Sequence, residues 1–190
     1  FRGSISSVFK GSILPFFPPN EEEILKPYLY EKGKRIAYIT GTSLYNRMGL
    51  TTQIPQNIKI ASRIKRITVS NGSVKATPVK SYVDVTNSNF YLLELLDALK
   101  DFKKIPDLNK SSGIKILSNK LKELNSTETN LLIKYSLAYP PRARSLLGAI
   151  LEKIKVSVDL TVLKNSLNPL SEYELGIASV LSTAKNWNIK

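Results

Sequence analysis

The chain has 190 residues, 42% of them hydrophobic and 23% charged, with 28 Lys and Arg against 15 Asp and Glu for a formal net charge of +13; it can bury a proper core in one domain, or in one domain with a helical appendage. It contains neither Cys nor His, which excludes disulfides, thiolate nucleophiles, imidazole bases and nearly all zinc or haem ligation. No apolar run approaches the ~18 residues of a membrane span and the start lacks a signal-peptide layout, so the chain reads as cytoplasmic.

The chain opens on Phe1 rather than Met, and residues 1–19, with Pro15, Pro18 and Pro19 beside Phe16 and Phe17, read as an extended linker with a neighbour upstream. Asn20 before Glu21, Glu22 and Glu23 predicts a helix N-terminus, with carboxylates where the dipole favours them and an end near Pro27 or Tyr30. Arg35–Thr40 is an apolar strand. Gly41-Thr42-Ser43 then forms a turn in which Ser43 caps a second helix through Leu44, Tyr45 and Met48, stopped by Gly49. Apolar and polar residues alternate over Ile58–Arg63, Arg66–Val69 and Val74–Thr77, and Asn71-Gly72 signals a type I′ hairpin between the last two. Period two gives Lys59 and Arg63 one parity and Ile58, Ile60 and Ile64 the other.

After Asp84 the pattern turns helical. Asn87-Ser88 can cap a helix carrying Tyr91, Leu92, Leu95, Leu96 and Leu99 that ends near Phe102, and a second runs from about Ser112 to Leu124. Ser126 caps a third, and Pro141 suits the first turn of a fourth carrying Leu146, Leu147, Ile150 and Ile154. Val156–Val162 reads as strand or loop, and Ser171 caps a last helix from Glu172 to about Lys185. The fold class expected is α+β: a small mixed or antiparallel sheet from segments near 35–40, 57–63, 66–70 and 73–79, packed by helices over about 20–86, then a helical half over about 87–190.

The sharpest functional signal is a charge asymmetry. From Lys32 to Val83 there are ten basic residues, Lys32, Lys34, Arg35, Arg47, Lys59, Arg63, Lys65, Arg66, Lys75 and Lys80, and no Asp or Glu. An ordered single-signed surface attracts polyanions, because phosphate contacts release condensed counterions; solvated strand faces or charge-protected sheet edges are the plainer reading. Arg142 and Arg144, just inside a helix start, call for an anion or for a carboxylate such as Asp84 or Glu94. The nucleic-acid-contacting set is therefore Arg47, Lys59, Arg63, Lys65, Arg66, Lys75, Lys80, Arg142 and Arg144. Tyr38, Tyr45 and Tyr82 could stack on bases, although Tyr38 and Tyr45 read better as half-buried core residues with wet hydroxyls.

Catalytic patterns are missing. Glu94, Asp97 and Asp101 have spacings that suit surface ion pairing with Lys100 and Lys104, no Glu-x-Lys occurs as a restriction-like nuclease needs, and no P-loop or dinucleotide fingerprint is present. The reading is a non-enzyme with no metal and no cofactor.

The stretch from Ala37 to Pro55, AYITGTSLYNRMGLTTQIP, resembles the central signature of AbiEi-type antitoxins: a glycine after a strand, a short helix, then Gly-Leu-Thr-x-Gln-x-Pro. Tyr139–Gly148, YPPRARSLLG, is similar to an arginine-bearing helix start in the same group. The resemblance, which spans most of Asn20 to about Glu152, implies the C-terminal domain of an antitoxin and transcriptional autorepressor. It further implies a winged-helix DNA-binding domain ahead of residue 1, duplex DNA of its own operon as partner, and a nucleotidyltransferase-like toxin as functional partner without required direct contact. The alternatives are a protein–protein module holding an acidic partner or the toxin, and an RNA-binding or processing protein acting on tRNA-like substrates.

Overall fold

A computed structural model describes residues 19–190. The linker assigned to residues 1–19 lies outside them except for Pro19, and the capping role of Asn20 lies outside the described side chains. Helix α1 (Pro19–Leu29) continues through Pro27 and leads into a two-stranded hairpin, β1 (Tyr30–Glu31) and β2 (Lys34–Arg35). Its turn residues Lys32 and Gly33 have φ of 50° and 76°, the positive pair a type I′ turn requires. The strand expected over Arg35–Thr40 is thus split at Ile36, and only Ala37–Thr40 forms β3.

The second sheet has the order β3-β4-β6-β5, with β4 (Ile58–Ser62), β5 (Val69–Asn71) and β6 (Val74–Lys80). It is mixed: β3–β4 and β5–β6 are antiparallel, and β4–β6 is parallel. The β5–β6 hairpin turns one residue later than Asn71-Gly72 suggests. Asn71 pairs with Val74, so Gly72 and Ser73 occupy the central positions, and of these only Gly72 (φ 58°) is positive. That is the type II′ pattern, with Gly first, rather than type I′.

Register assigns the two faces. Ala37, Ile39, Ile58, Ile60, Val69 and Ala76 pack with Leu25 and Leu29 of α1 in one apolar cluster. Tyr38, Ala61 and Val79 face the other way, into a larger core shared with the helical half. The sheet is therefore a middle layer between α1 and α3 (Phe90–Asp101).

The remaining helices among the described residues are α2 (Thr42–Arg47), α4 (Lys110–Lys122), α5 (Ser126–Ser136), α6 (Pro141–Lys153) and α7 (Thr161–Asn165). Helices α3 and α6 form the centre, each with an unbroken buried run, Leu92–Leu99 and Ser145–Leu151. Such runs belong to helices surrounded on all sides. Three caps differ from expectation: Asn89, rather than Asn87 or Ser88, stands at the N-cap of α3, Asn125, not Ser126, caps α5 in a capping box with Glu128, and Gly41 stands at the N-cap of α2, leaving Ser43 Oγ buried without a partner among the described residues.

The helix expected over Glu172–Lys185 does not form. Tyr173 N donates to Asn188 O at 2.7 Å and Gly176 N to Lys190 O at 2.8 Å, so the segment doubles back, and its helical element is a 3₁₀ turn at Ala184–Trp187. Gly176 (φ 63°) breaks any helix there. The return path seats Trp187 on α6, where a Cβ on Gly148 would fall 2.1 Å from Trp187 Cζ3. Trp187 Nε1 donates to Glu152 and Ser145 Oγ to the Trp187 carbonyl, each at 2.5 Å.

Candidate functional site

The stretch from Ala37 to Pro55 builds the junction between the sheet and α3. Glu94, Asp97 and Asp101 sit at i, i+3 and i+7 on α3, a single ridge, and they meet side chains from β3 and α2. Tyr38 and Thr40 donate to Asp97 Oδ2 at 2.9 and 2.7 Å, and Tyr45 donates to Asp101 Oδ2 at 2.6 Å. Arg47 Nη2 donates to Glu94 Oε1 at 2.5 Å. Lys100 Nζ lies 3.0 Å from Asp97 Oδ1 and 3.5 Å from Asp101 Oδ2. The surface ion pairing expected of these acids is therefore corrected: Asp97 is 2% exposed and Glu94 9%. With residues 92–99 buried all round, α3 has no solvent face for them.

Burial shapes the protonation of this cluster. It pushes the Glu94 carboxyl above the usual carboxylate range, partly offset by Arg47. The Tyr38, Tyr45 and Tyr139 phenols are held well above their ordinary value by burial and by the neighbouring Asp97 and Asp101. Burial pulls the Lys100 ammonium down, but Asp97 and Asp101 outweigh it and the net shift is upward. Tyr38 and Tyr45 are buried core residues, as their pattern indicates, but their hydroxyls face carboxylates rather than water.

The nine candidate basic residues divide among four places. Arg47 is spent on Glu94, and Arg144 Nη1 donates to the Ser166 carbonyl at 3.0 Å, so both tie the structure internally. Neither Asp84 nor Glu94 answers the α6 arginines: Asp84 pairs with Arg63 and Glu94 with Arg47. Arg142 lines a separate cleft with Lys103, Glu172, Glu174 and Lys190. Lys59 and Lys75 lie on the α3 face of the sheet, where Thr40 pairs with Lys59, and Ser70 with Lys75. Lys80 pairs with Ser62 and belongs to the opposite face. No single sheet face carries the whole set, because positions 59 and 80, across paired strands, differ in parity.

Four candidates do converge. Arg63, Lys65, Arg66 and Lys80 line one groove of about 280 Å3 between the β4–β5 connection and the end of β6, floored by Ser62, Ile64, Pro78 and Val79. No acid lines it. Arg63 is positioned by Asp84 at 3.3 Å and by the Tyr82 carbonyl at 2.6 Å, and Lys65 by Glu31. Arg66 and Lys80 are exposed and have no acidic partner among the described residues. Beside the groove, Ile64 is 62% exposed and also borders a larger cavity of about 480 Å3 with Lys34, Asp84 and Ser88.

A second convergence escaped the sequence. Lys100 and Lys104, read there as partners for helix-borne acids, meet Lys59 across a cleft of about 240 Å3 beside Gly41. Their spacing, Lys100 in the last turn of α3 and Lys104 in the 3₁₀ turn Phe102–Lys104 that follows it, is visible in the chain, but their meeting with β4 is a product of the fold. No group of three or more acidic side chains suited to a metal ion occurs among the described residues, and no described helix is long and apolar enough to cross a membrane. No family model, curated protein or solved structure matches this chain.

Proposed function

We propose that the chain is the C-terminal domain of an AbiEi-like antitoxin and transcriptional autorepressor, acting without catalysis and holding nucleic-acid backbone in the Arg63–Lys65–Arg66–Lys80 groove. The observation that carries this reading is the groove itself: four cations with no carboxylate in the lining, two of them, Arg66 and Lys80, without an acidic partner among the described residues, the electrostatic footprint of a phosphate-contacting surface. Two of the four are already oriented by hydrogen bonds or ion pairs, which lowers the entropy lost on binding. The non-enzymatic part is supported by the acids that α3 groups in the core, Glu94, Asp97 and Asp101, each of which is already engaged by one or more of Arg47, Tyr38, Thr40, Tyr45 and Lys100. The antitoxin identity rests on the two resembling segments, and a nucleotidyltransferase-like toxin is its functional partner.

The test is binding to duplex DNA across a salt series. With four phosphate contacts, log K is expected to fall against log salt with a slope of about −3 to −4, nearly equally for operator and random sequence. Arg66→Glu with Lys80→Glu is expected to flatten that slope by about 2 while leaving the melting temperature near that of the parent, since both side chains are exposed and neither has an acidic partner among the described residues. An unchanged slope in the double variant would remove the groove from the interface. Rescue of growth on co-expression with a nucleotidyltransferase-like toxin, retained or lost, tests the antitoxin identity separately.

A further inference from the structure

We propose that the cleft between the Gly41 turn and the C-terminal end of α3 binds a phosphate monoester. The site lies on the α3 side of the sheet; it shares Val79 with the groove but none of the groove's cations, and it does not depend on the groove's role. Lys59, Lys100 and Lys104 line it together with Thr42 and Asp101. Lys100 is answered by two carboxylates, Asp97 at 3.0 Å and Asp101 at 3.5 Å, and Asp101 also accepts from Tyr45 at 2.6 Å. The cations left for an anion are therefore Lys59 and Lys104, two positive charges without acidic partners among the described residues. A phosphate monoester near neutral pH carries about −1.5 to −2, a closer match than the single charge of a backbone diester.

Size points the same way. At about 240 Å3 the cleft is smaller than the roughly 300 Å3 at which pockets for whole cofactor-sized ligands begin, so it accepts the phosphate group and leaves the rest of the molecule outside. The cations differ in how they are held. Lys100 is fixed by Asp97 at 3.0 Å, whereas Lys59 and Lys104 are exposed and without acidic partners among the described residues. Gly41 explains how Lys59 reaches the cleft: a Cβ there would fall 2.9 Å from Lys59 Cδ, so glycine lets the lysine stem lie directly across the turn.

The ligand has two possible sources, a free phosphate or mononucleotide and the 5′-terminal phosphate of a nucleic-acid strand. Calorimetric titration of the full chain at low salt with inorganic phosphate, AMP, a 5′-phosphorylated trinucleotide and its 5′-hydroxyl counterpart separates them. Saturable one-to-one binding of phosphate is expected, weakened about tenfold or more by Lys59→Gln with Lys104→Gln and unchanged by Arg66→Gln with Lys80→Gln. Preference for the phosphorylated over the hydroxyl trinucleotide identifies a strand end as the source; binding of phosphate and AMP with neither trinucleotide bound identifies a small molecule. The proposal is overturned if no phosphate species saturates, or if the Lys59 and Lys104 variant keeps its affinity for phosphate. Since the groove variant is the control, failure here leaves the groove reading intact.

Discussion

Single residues carry much of the architecture, and two glycines do so for different reasons. Gly148 gives way to the ring of Trp187, with 2.1 Å left for any Cβ, and backbone on α6 cannot retreat from it. Gly148→Ala is expected to cost about 1 to 3 kcal/mol or more and to expose the sole tryptophan, read as a red shift of fluorescence in the folded state. Gly41 combines a φ of 72° with the Lys59 contact, but Lys59 Cδ is a flexible side-chain atom that can move aside. Gly41→Ala is therefore expected to lose about 1 to 2 kcal/mol from backbone strain, and Lys59→Ala in the same molecule should not restore it in urea unfolding. Asp97 shows the asymmetry of buried charge. Asp97→Ala leaves Tyr38 and Thr40 without their acceptor and Lys100 with only Asp101 and should cost about 3 to 5 kcal/mol, whereas Tyr38→Phe removes one donor of three and should cost about 1 to 2.

At the scale of elements, the start of α5 is legible in the chain, but its cap is Asn125, one residue before the expected Ser126. The capping box of α5 involves only Asn125 and Glu128: Asn125 Oδ1 accepts from Glu128 N, and Asn125 N donates to Glu128, both at 2.9 Å. Asn125→Ala is expected to lower stability by about 1 kcal/mol, measured as a shifted urea midpoint with unchanged slope. The β5–β6 hairpin shows where local reading slips by one residue. Asn-Gly favours a type I′ turn at 71–72, yet the observed register turns at 72–73 and keeps Val69, Val74 and Ala76 on the α1 face. Burial of those three side chains selects the register over the preference of the turn. The missing helix over Glu172–Lys185 has the same cause at greater range: docking Trp187 on α6 requires the chain to fold back, and Gly176 supplies the bend.

For the molecule as a whole, the junction between sheet and α3 makes stability sensitive to alkali. Tyr38, Tyr45 and Tyr139 hold their protons above the ordinary phenol range, and Lys100 above the ordinary lysine range. In the unfolded chain these groups release protons near pH 10 to 10.5. Above that pH the unfolded state binds fewer protons than the folded one, so stability falls as pH rises; below it the contribution is fully present. The urea midpoint is expected to be steady from pH 8 to 9.5 and to drop beyond about pH 10, and Tyr45→Phe should make the drop shallower. A midpoint that holds through pH 11 would show that these hydroxyls are not sealed from solvent.

What the sequence by itself determined is whatever depends on spacing along the chain: the α+β class, strands at the four segments, though the one expected near 66–70 forms only at Val69–Asn71, the helices from Phe90 to Lys153, and the acid-free stretch of basic residues. The resembling segment at Ala37–Pro55 was legible as a unit, but its structural work, binding the acids of α3, was not. Tertiary structure alone decided which charges are spent and which are free. Arg47, Arg63 and Lys65 find Glu94, Asp84 and Glu31, partners that lie outside the acid-free stretch. Lys59, Lys100 and Lys104 come together only because the sheet face that carries Lys59 on β4 is the one α3 packs against. Charge is a property of residues and can be counted, whereas pairing and convergence require distances of a few ångströms between positions tens of residues apart, which only the packed chain supplies.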